Sequence, residues 1–432
     1  MMGGGAGTAR ERINLGLARL RGFQDLIGPD ARAVSFVEER ARNVAERYSI
    51  NEIRIPLLER LELYQRSSGE TSDVVEKQMY AFADRDEAQT TLALRPEGTP
   101  GVVRAYIDAG LDRSDPEQRF YYYGPMFRRE RPQKGRFRQF NQFGVEIFGR
   151  ADAACDAELM IMVDEFRREL GLEVEFEINS LGDATCRPAF RQALLEWGRA
   201  HLDQLCEDCH QRLERNPLRL LDCKNDTKLA ETAPRSSDYL CDPCHQHFGT
   251  VEELLSKANV PYVVNPRLVR GLDYYTRTTF EAVSKAVGAQ SAVVAGGRYD
   301  GLVEVLGGAA VAGTGFAIGV ERIALAIEAD RFKLDGAPDA SIIAMGERAT
   351  VTAMDLARTL RAAGLRIEML SPERGLKALL RRADKLGAHF ALIIGENELA
   401  QGVVQVRDLK NSAQQSVPQG DIASHLCSAL NR

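Results

Sequence analysis

The chain has 432 residues, of which 44% are hydrophobic and 27% charged, and its formal net charge is −6. This length predicts two or three domains rather than one core, and the absence of a run of about 18 uncharged apolar residues argues against a membrane-spanning helix. The negative charge disfavours non-specific binding of nucleic acid, so any RNA partner must be bound through local basic patches.

The chain begins with a tail, a helix and a strand. The first ten residues, MMGGGAGTAR, are small and Gly-rich and lack the apolar segment of a secretory signal, so we expect a disordered tail over residues 1–18. Apolar residues recur at i+3/i+4 spacing over residues 30–49, which predicts an amphipathic helix. A strand is predicted over residues 52–58, where Pro56 favours an edge or a bulge. A helix followed by an edge strand would suit a dimer surface, although an ordinary packed edge would show the same pattern.

Two longer strands, residues 120–128 and 139–148, flank a ten-residue loop and predict an antiparallel hairpin. Because side chains alternate between the faces of a strand, Gln142 and Glu146 share one face, and a glycine between them leaves room. Arg128, at the end of the first strand, is expected on the same face. The hairpin therefore predicts a polar pocket on a rigid platform.

The loop RERPQKGRFR, residues 129–138, carries five basic residues and one acid. Arginine binds phosphate oxygens in a bidentate manner, which suits a phosphate site. A solvated basic turn is the commoner explanation of a charge run, but the polar strand faces beside this loop favour the site. The sequence has no G-x-x-x-x-G-K-[ST] run, so a P-loop offers no competing nucleotide site.

The second half of the chain changes character twice. Residues 170–262 carry helical patterns and most of the cysteines, which indicates an insertion inside the main domain. Residues 331–339 are linker-like. After them strand and helix patterns alternate, which predicts a compact α/β domain. Between the insertion and the linker, strand patterns return at residues 274–283, 291–295 and 313–317.

The insertion contains two Cys-x-x-Cys pairs, Cys206/Cys209 and Cys241/Cys244, out of eight cysteines in the chain. Four cysteines with this spacing suit a single zinc site with four thiolate ligands, and the alternative is four reduced thiols in a helical insertion. Without a secretory signal a reducing cytoplasm is expected, so disulfides are not.

Five segments carry a resemblance to class II aminoacyl-tRNA synthetases, and among them to the histidyl-tRNA synthetases. The helix and strand ending at residues 52–56 resemble class II motif 1, residues 123–149 resemble motif 2 and residues 313–322 resemble motif 3. The runs LRPEGT (94–99) and RGLDYY (270–275) are similar to signatures of the histidine enzymes. The resemblance extends over about residues 20–432.

The resemblance implies a mixed α/β (α+β) fold. A catalytic domain over residues 19–330 would contain an antiparallel sheet flanked by helices, with a helical insertion at about 170–262. After the linker at 331–339, residues 340–432 would form an α/β anticodon-binding domain. The insertion of this family generally functions without being a defined zinc module, so the resemblance favours reduced cysteines over zinc.

The resemblance also implies an ATP-dependent ligase. It would activate L-histidine as histidyl-adenylate, release pyrophosphate and transfer histidine to the 3′ end of tRNA(His). ATP with Mg²⁺, L-histidine and tRNA(His) are the expected ligands, and a cytoplasmic homodimer is the expected state. Transfer of this type depends on positioning and charge neutralisation, so cations are expected in place of a nucleophile.

The site residues that the resemblance implies fall into four sets. The expected catalytic residues are Arg128, Arg270 and Arg322. The expected ATP-binding residues are Arg128, Glu130, Arg136 and Arg322. The expected histidine-binding residues are Glu97, Gly98, Thr99, Gln142, Glu146, Tyr274 and Tyr275. The residues expected to reach the tRNA acceptor end are Gln133 and Arg138.

Within the histidine set, Glu97, Thr99 and Gln142 are expected at the amino group, and Glu146 and Tyr275 at the imidazole, with Tyr274 near. The reverse assignment of the two carboxylates stays open.

Two alternatives belong to other classes of protein. A non-catalytic regulatory subunit of histidine biosynthesis would share the fold, but such proteins tend to lack the C-terminal domain and parts of the histidine signature. An RNA-binding or scaffold protein could also keep the fold without activity. The three arginines and the C-terminal domain favour the enzyme.

Overall fold

The computed structural model describes residues 18–68, 74–85, 89–272, 274–287, 292–327, 337–371 and 374–430. The chain divides into two compact units, residues 1–331 and 332–432. The predicted tail, apart from its last residue, and most of the predicted linker lie outside the described residues. In the described part of the chain, no helix is both long and apolar enough to cross a membrane.

The first unit contains eleven α-helices and eleven strands among its described residues. The helices are α1 (Pro29–Arg47), α2 (Leu61–Ser68), α3 (Thr99–Asp108), α4 (Leu111–Ser114), α5 (Ala153–Leu170), α6 (Arg187–Ala200), α7 (Glu207–Arg215), α8 (Thr227–Ala230), α9 (Asp242–Lys257), α10 (Leu302–Val305) and α11 (Val320–Ala326). The strands are β1 (Asn51–Glu52), β2 (Leu58–Arg60), β3 (Tyr80–Ala83), β4 (Thr91–Leu94), β5 (Gln118–Phe127), β6 (Gln139–Phe148), β7 (Glu175–Ser180), β8 (Tyr262–Val264), β9 (Thr276–Val283), β10 (Ala292–Arg298) and β11 (Gly313–Gly319).

An eight-stranded sheet organises this unit, in the order β1-β5-β6-β11-β10-β9-β7-β8. Its central pairs are antiparallel, and only the two edge pairs, β1 with β5 and β7 with β8, are parallel. A second sheet has three strands in the order β2-β4-β3. The expected antiparallel sheet with flanking helices is confirmed.

The predicted hairpin is confirmed and forms the pair β5–β6. Gln142 lies opposite Gly124, and Gly144 lies opposite Tyr122. Phe143, Val145 and Ile147 of β6 are buried on the other face, as alternation predicts. One face of β6 is therefore used by the core and the opposite face is available to carry polar groups.

The single strand predicted over residues 52–58 is wrong. The chain forms β1 in the large sheet and β2 in the small sheet, with Pro56 between them. Proline has no backbone N–H and cannot continue a ladder. The guanidinium of Arg95 instead donates hydrogen bonds of 2.8 and 3.3 Å to the carbonyls of Ile55 and Pro56. The predicted edge position is correct for β1, which ends the sheet.

The boundaries predicted for the insertion, residues 170–262, are too wide. The stretch includes β7, which pairs antiparallel with β9 inside the large sheet, and its last residue begins β8. Phe176 and Ile178 alternate with glutamates and are buried, the pattern of a half-buried strand. Within this stretch, the helices α6 to α9 and the segments that join them are the part that adds no strand to the sheet.

The second unit has a five-stranded sheet in the order β13-β12-β14-β15-β16. Its first three strands are parallel and its last two are antiparallel, so the predicted α/β character is confirmed. Helix α14 and strand β16 were not predicted, because both are short and mostly exposed. The elements are β12 (Ala340–Ala344), α12 (Glu347–Ala362), β13 (Ile367–Met369), α13 (Leu376–Lys385), β14 (Phe390–Ile394), α14 (Glu396–Gln401), β15 (Val403–Asp408), β16 (Gln414–Pro418) and α15 (Ile422–Ala429).

A buried ion pair joins the large sheet to the helices behind it. Arg298, at the end of β10, has a fully buried side chain and donates hydrogen bonds of 2.6 and 3.1 Å to Asp156 of α5. His247 of α9 contacts the same carboxylate at 2.8 Å. Although burial disfavours the charge, His247 and Arg298 lower the pKa of Asp156.

Arg298→Met should destabilise the first unit strongly, because it leaves Asp156 buried without its main cation. We expect a loss of about 3 kcal/mol or more in the free energy of unfolding, measured by denaturant titration. Arg66→Met is the control, since Arg66 forms an exposed pair with Glu62 and should cost at most about 1 kcal/mol. Equal losses in the two variants would contradict the assigned importance of the buried pair.

Candidate active site

A cavity of about 600 Å³ lies over the hairpin face in the first unit. Its walls come from strands β6, β9, β10 and β11, from the loop at residues 129–138 (the motif 2 loop) and from the segment before β9. The predicted site residues that line it are Glu97, Thr99, Arg128, Glu130, Arg136, Gln142, Glu146, Arg270, Tyr274, Tyr275 and Arg322. Segments distant in the sequence therefore meet at one site.

Glu146 is the most deeply buried carboxyl group of the cavity, with 1% of the residue exposed. Thr99 donates a 2.6 Å hydrogen bond to its Oε1, and the hydroxyl of Tyr299 donates to Oε2. Burial raises the pKa of Glu146 to about 8, helped by the charge of Glu97 and opposed by the two hydrogen bonds. Burial therefore favours the protonated form of this group.

The backbone beside Glu146 accepts no larger residue than glycine. A Cβ atom on Gly315, which lies opposite Glu146 in the β6–β11 register, would be 2.0 Å from its Oε2. The space over Gly144, predicted to be open, is filled by the ring of Tyr122, 2.2 Å from where a Cβ would lie. The same ring packs on Gly98, which explains that glycine better than a direct ligand contact does.

Glu97 is the second buried carboxyl group, and its surroundings differ. Tyr274 donates a 2.9 Å hydrogen bond to Oε2 and Ser68 a 3.2 Å hydrogen bond to Oε1. Burial raises its pKa, while the positive charges of Arg128 and Arg270 act in the opposite direction. Tyr274 is thus a partner of Glu97, and Thr99 is a partner of Glu146. The grouping expected from the sequence was the opposite, with Thr99 beside Glu97 and Tyr274 near Glu146.

Gln142 lies on the same strand face as Glu146 and is largely buried. Among the described residues, none forms a hydrogen bond with its Oε1. A buried amide oxygen is normally paired, so this atom is available to a ligand donor.

Three arginines, Arg128, Arg136 and Arg322, converge on the other side of the cavity. Arg128 is anchored through Nε to the carbonyl of Pro96 at 2.8 Å, and Arg322 donates to the carbonyls of Gly135 and Ala292 at 3.1 and 3.0 Å. Burial, followed by the charges of Arg136 and Arg128, lowers the pKa of Arg322. Cations held near each other in this way form a site for a polyanion.

One acidic residue stands among these arginines. Glu130 forms a 3.0 Å ion pair with Arg136 and lies 3.9 Å from Arg128. The tight turn around Gly135, where φ is +73°, returns the motif 2 loop toward α11, so Arg322 reaches a loop carbonyl. The two motifs thereby build one wall.

Arg270 stands across the cavity and is paired with Glu281 of β9. Its guanidinium also lies 5.8 Å from the centroid of the Tyr275 ring. Burial opposes its charge, but Glu281 and the neighbouring tyrosines raise its pKa. Glu281 was not predicted from the sequence, because nothing local marks a glutamate on β9 as the partner of an arginine before the strand.

A further contact joins motifs 2 and 3. The carboxylate of Glu321 accepts hydrogen bonds from the backbone and the side-chain amide of Asn141 at 2.8 to 2.9 Å. Glu321 and Tyr299, like Glu281, line the cavity and were missed. The one signal that the sequence offered was the position of Glu321 directly before the predicted Arg322.

Three predicted residues do not line the cavity: Gly98, which packs against Tyr122, and two residues of the motif 2 loop. Gln133 and Arg138, both in the described part of the motif 2 loop, are not among its lining residues. Gln133 is exposed and pairs its backbone with Arg136. The backbone N–H of Arg138 donates to the carbonyl of Gly22. Their expected contact with the tRNA acceptor end therefore stays a prediction.

The four cysteines of the two Cys-x-x-Cys pairs do not form one site, so the predicted four-thiolate alternative is wrong in its ligand set. Each pair instead meets a different cysteine and an aspartate. The first cluster is Asp183, Cys186, Cys241 and Cys244, and the second cluster is Cys206, Cys209, Cys223 and Asp226. The reason is that the first pair lies at the start of α7, beside the loop before α8, whereas the second pair lies at the start of α9, beside the loop after β7.

An antiparallel sheet that carries converging arginines and a polar pocket is the arrangement expected of a class II synthetase. A histidyl-tRNA synthetase family model matches residues 22–323, and an anticodon binding domain model matches residues 339–427. The chain belongs to the histidyl-tRNA synthetase family.

Individual relatives match along nearly the whole chain. The histidine--tRNA ligase of Trichlorobacter lovleyi is 47% identical over 406 residues, covering 93% of this chain and 96% of that protein. The Geobacter sulfurreducens histidine--tRNA ligase is 48% identical over 402 residues, covering 92% and 96%. The crystal structure of apo S. aureus histidyl-tRNA synthetase is 33% identical, covers 95% of this chain and 99% of that chain, and superposes with a TM-score of 0.79.

The raised pKa of Glu146 predicts a pH-dependent stability. Between the ordinary carboxyl pKa of 4.5 and about 8, the folded protein keeps a proton that the unfolded chain loses, so this group lowers the free energy of unfolding as pH rises. Glu146→Gln removes that loss. The variant should gain stability relative to the parent from pH 5 to pH 8, by a difference on the order of 3 kcal/mol. A difference that stays constant over this range in urea titrations would refute the assignment.

Proposed function

We propose that this cavity activates L-histidine with ATP and that the chain then transfers histidine to tRNA(His). The observation that carries the proposal is the meeting of two buried carboxyl groups, Glu97 and Glu146, with a wall of converging arginines in one cavity. An amino acid with an ammonium group and a polar ring suits the carboxyl groups, and a triphosphate suits the arginines. Family membership and the histidine--tRNA ligase relatives support the same function.

The two carboxyl groups suit the two polar ends of histidine. Glu97, near Arg128 and Arg270, is the carboxylate that we assign to the ammonium group of the substrate, together with Gln142 Oε1 and Thr99. Glu146, with its pKa of about 8, is assigned to the neutral imidazole, together with Tyr275. Because both ring nitrogens then have partners, an analogue without them would leave buried groups unpaired.

The arginines suit the phosphates of ATP. Arg128 is assigned to the α-phosphate, Arg322 to the outer phosphates and Arg270 to the α-phosphate from the opposite wall. Glu130 and Arg136 would help to hold the nucleotide. As the histidine carboxylate attacks the α-phosphorus, pyrophosphate leaves and negative charge spreads over the phosphate oxygens. Fixed guanidinium groups stabilise this charge without reorganising.

Each acidic residue that lines the cavity already has a hydrogen-bond or ion-pair partner within the chain. The residues are Glu97, Glu130, Glu146, Glu177, Asp222, Glu281 and Glu321. Mg²⁺ would therefore be held mainly by ATP oxygens, with Glu130 as the acidic residue placed among the phosphate-binding arginines. Its contribution would be to neutralise the outer phosphates.

The rest of the chain would serve tRNA and assembly. We assign anticodon binding to residues 340–432, which the anticodon binding domain model supports. Gln133 and Arg138 would meet the acceptor end. A homodimer would use α1 and β1, since β1 ends the large sheet and Leu57 and Leu58, which follow it in the chain, are exposed. Free thiols suit a reducing cytoplasm.

The regulatory alternative is disfavoured. A histidine-binding regulator would not require three arginines converging beside the amino acid pocket, and it tends to lack the C-terminal domain that this chain retains. The two relatives of this chain compared above match more than nine tenths of it, and both are named histidine--tRNA ligases.

Arg270→Ala tests the reaction. We expect histidine-dependent ATP–pyrophosphate exchange to fall at least about 100-fold, because one wall of the α-phosphate site loses its cation. Arg199→Ala, which removes an exposed ion pair with Glu214 outside the cavity, is the control and should retain most activity. Sedimentation of both variants should match the parent. Near-normal exchange by Arg270→Ala would refute its role, and no exchange by the parent would refute the proposed function.

Gly315→Ala tests the histidine pocket. A methyl group at this position would lie 2.0 Å from Glu146 Oε2 and 2.4 Å from the backbone carbonyl oxygen of Val145, so the carboxyl group and the strand that carries it must both shift. The KM for histidine should therefore rise about tenfold or more, and the KM for ATP should change less. Gly301→Ala is the matched glycine control, because a Cβ there meets no atom within 4 Å among the described residues. An unchanged histidine KM in a folded Gly315→Ala protein would contradict the placement of Glu146.

A further inference from the structure

We propose that the insertion holds two separate structural zinc ions, each bound by three cysteines and one aspartate. The first cluster joins the loop after β7 to the start of α9, and the second joins the start of α7 to the loop before α8. In each cluster the ligand atoms lie within 4.8 Å of one another. A Cys-x-x-Cys pair meets Asp-x-x-Cys in the first cluster and Cys-x-x-Asp in the second.

The distances suit a tetrahedral zinc ion. Thiolates bound at about 2.3 Å from one zinc ion lie about 3.7 Å apart. In the second cluster the sulfurs of Cys206 and Cys223 are 3.6 Å apart. In the first cluster Oδ1 of Asp183 lies 3.7 Å from the sulfur of Cys186 and 3.9 Å from that of Cys241. A disulfide, with sulfurs about 2.05 Å apart, does not fit the Cys206–Cys223 distance.

The first cluster has the supporting contacts of a metal site. One oxygen of Asp183 faces the thiols, while the other accepts a 3.2 Å hydrogen bond from Arg277. Such a second contact is usual for a carboxylate that binds a metal. Gly182 has φ of +67°, and a Cβ there would lie 2.5 Å from the sulfur of Cys186, so the chain closes tightly around this ligand.

The second cluster repeats the design independently. Cys206 directly precedes α7, and its backbone N–H donates a 3.0 Å hydrogen bond to the Asp226 carboxylate. Cys209 and Cys223 are buried. Thiolates are favoured at the start of a helix, and Cys241 has the equivalent place before α9 in the first cluster. The two clusters, built from different segments, thus each bring together three cysteines and one aspartate.

The histidines that follow the pairs are not ligands. His210 uses Nε2 in a 2.6 Å contact with the carbonyl of Leu202, and neither His210 nor His245 belongs to a cluster of metal-ligand atoms in the described chain. Ligand sets rich in thiolate select zinc over magnesium or calcium, and the tetrahedral shape favours zinc.

The two ions would fasten walls of the active-site cavity. Cys223 and its neighbours Asp222 and Lys224 line the cavity directly. The first cluster holds Asp183 against Arg277, and the helix that follows its loop carries Arg187, which donates a 2.8 Å hydrogen bond to the carbonyl of Tyr275. Each cluster therefore either lines the cavity or is connected to one of its residues through a neighbouring segment.

Metal analysis of the full-length protein tests the proposal. After purification with zinc in the medium and removal of loose metal, we expect about two zinc ions per chain. Cys244→Ser, in the first cluster, and Cys209→Ser, in the second, should each reduce the content to about one. Cys427→Ser, which lies in neither cluster, should keep about two.

Cobalt replacement keeps the test valid if a cysteine variant does not fold. The parent protein should take up about two Co²⁺ ions with the intense visible bands of tetrahedral cobalt and a thiolate charge-transfer band. Zinc should displace both. Less than about 0.1 metal per chain after incubation with zinc, or only weak octahedral cobalt bands, would overturn the proposal. Iron bound in place of zinc would overturn it too.

Discussion

The burial of two carboxyl groups in one cavity is the constraint on which the catalytic unit depends. Glu97 and Glu146 lie out of solvent, where an unpaired carboxyl group would be costly. Their donors come from remote segments: Ser68 and Tyr274 for Glu97, Thr99 and Tyr299 for Glu146. The large sheet and the small sheet with helices α2 and α3 together bring these segments to one place, so the fold and the binding pocket are stabilised by the same hydrogen bonds.

The two carboxyl groups also give the two polar ends of the substrate different places in the cavity. Burial raises the pKa of both groups, but at Glu97 the positive charges of Arg128 and Arg270 oppose the rise, whereas Glu146 lies deeper, among hydroxyl groups, with its pKa at about 8. Charged and neutral ends of a substrate therefore have different places. The arginine wall begins beside Glu97, which would set the substrate carboxylate next to the phosphates. This order explains why one continuous cavity can serve both an amino acid and a nucleotide.

The sequence predicted what depends on local periodicity or spacing. Alternation placed Gln142 and Glu146 on one face, and the charge of the motif 2 loop indicated an anion site. Glu281 and Tyr299 were missed, because their partners are set by the strand register and the packing of distant segments. Pro56 was recognised as an interruption, but which sheet each half joins is decided by tertiary contacts. Likewise, cysteine spacing identified the two pairs but not the third cysteine and aspartate that each pair meets.

The amino acid dependence of ATP–pyrophosphate exchange tests the central claim most directly, because it measures whether the Glu97–Glu146 pocket and the arginine wall act together. Each of the common amino acids is supplied in turn to the full-length protein with ATP and Mg²⁺. The structure predicts exchange with histidine and little or none with the others, since only histidine offers an ammonium group and two ring nitrogens to the two carboxyl groups. Exchange driven equally by another amino acid, or no exchange with histidine, would contradict the account.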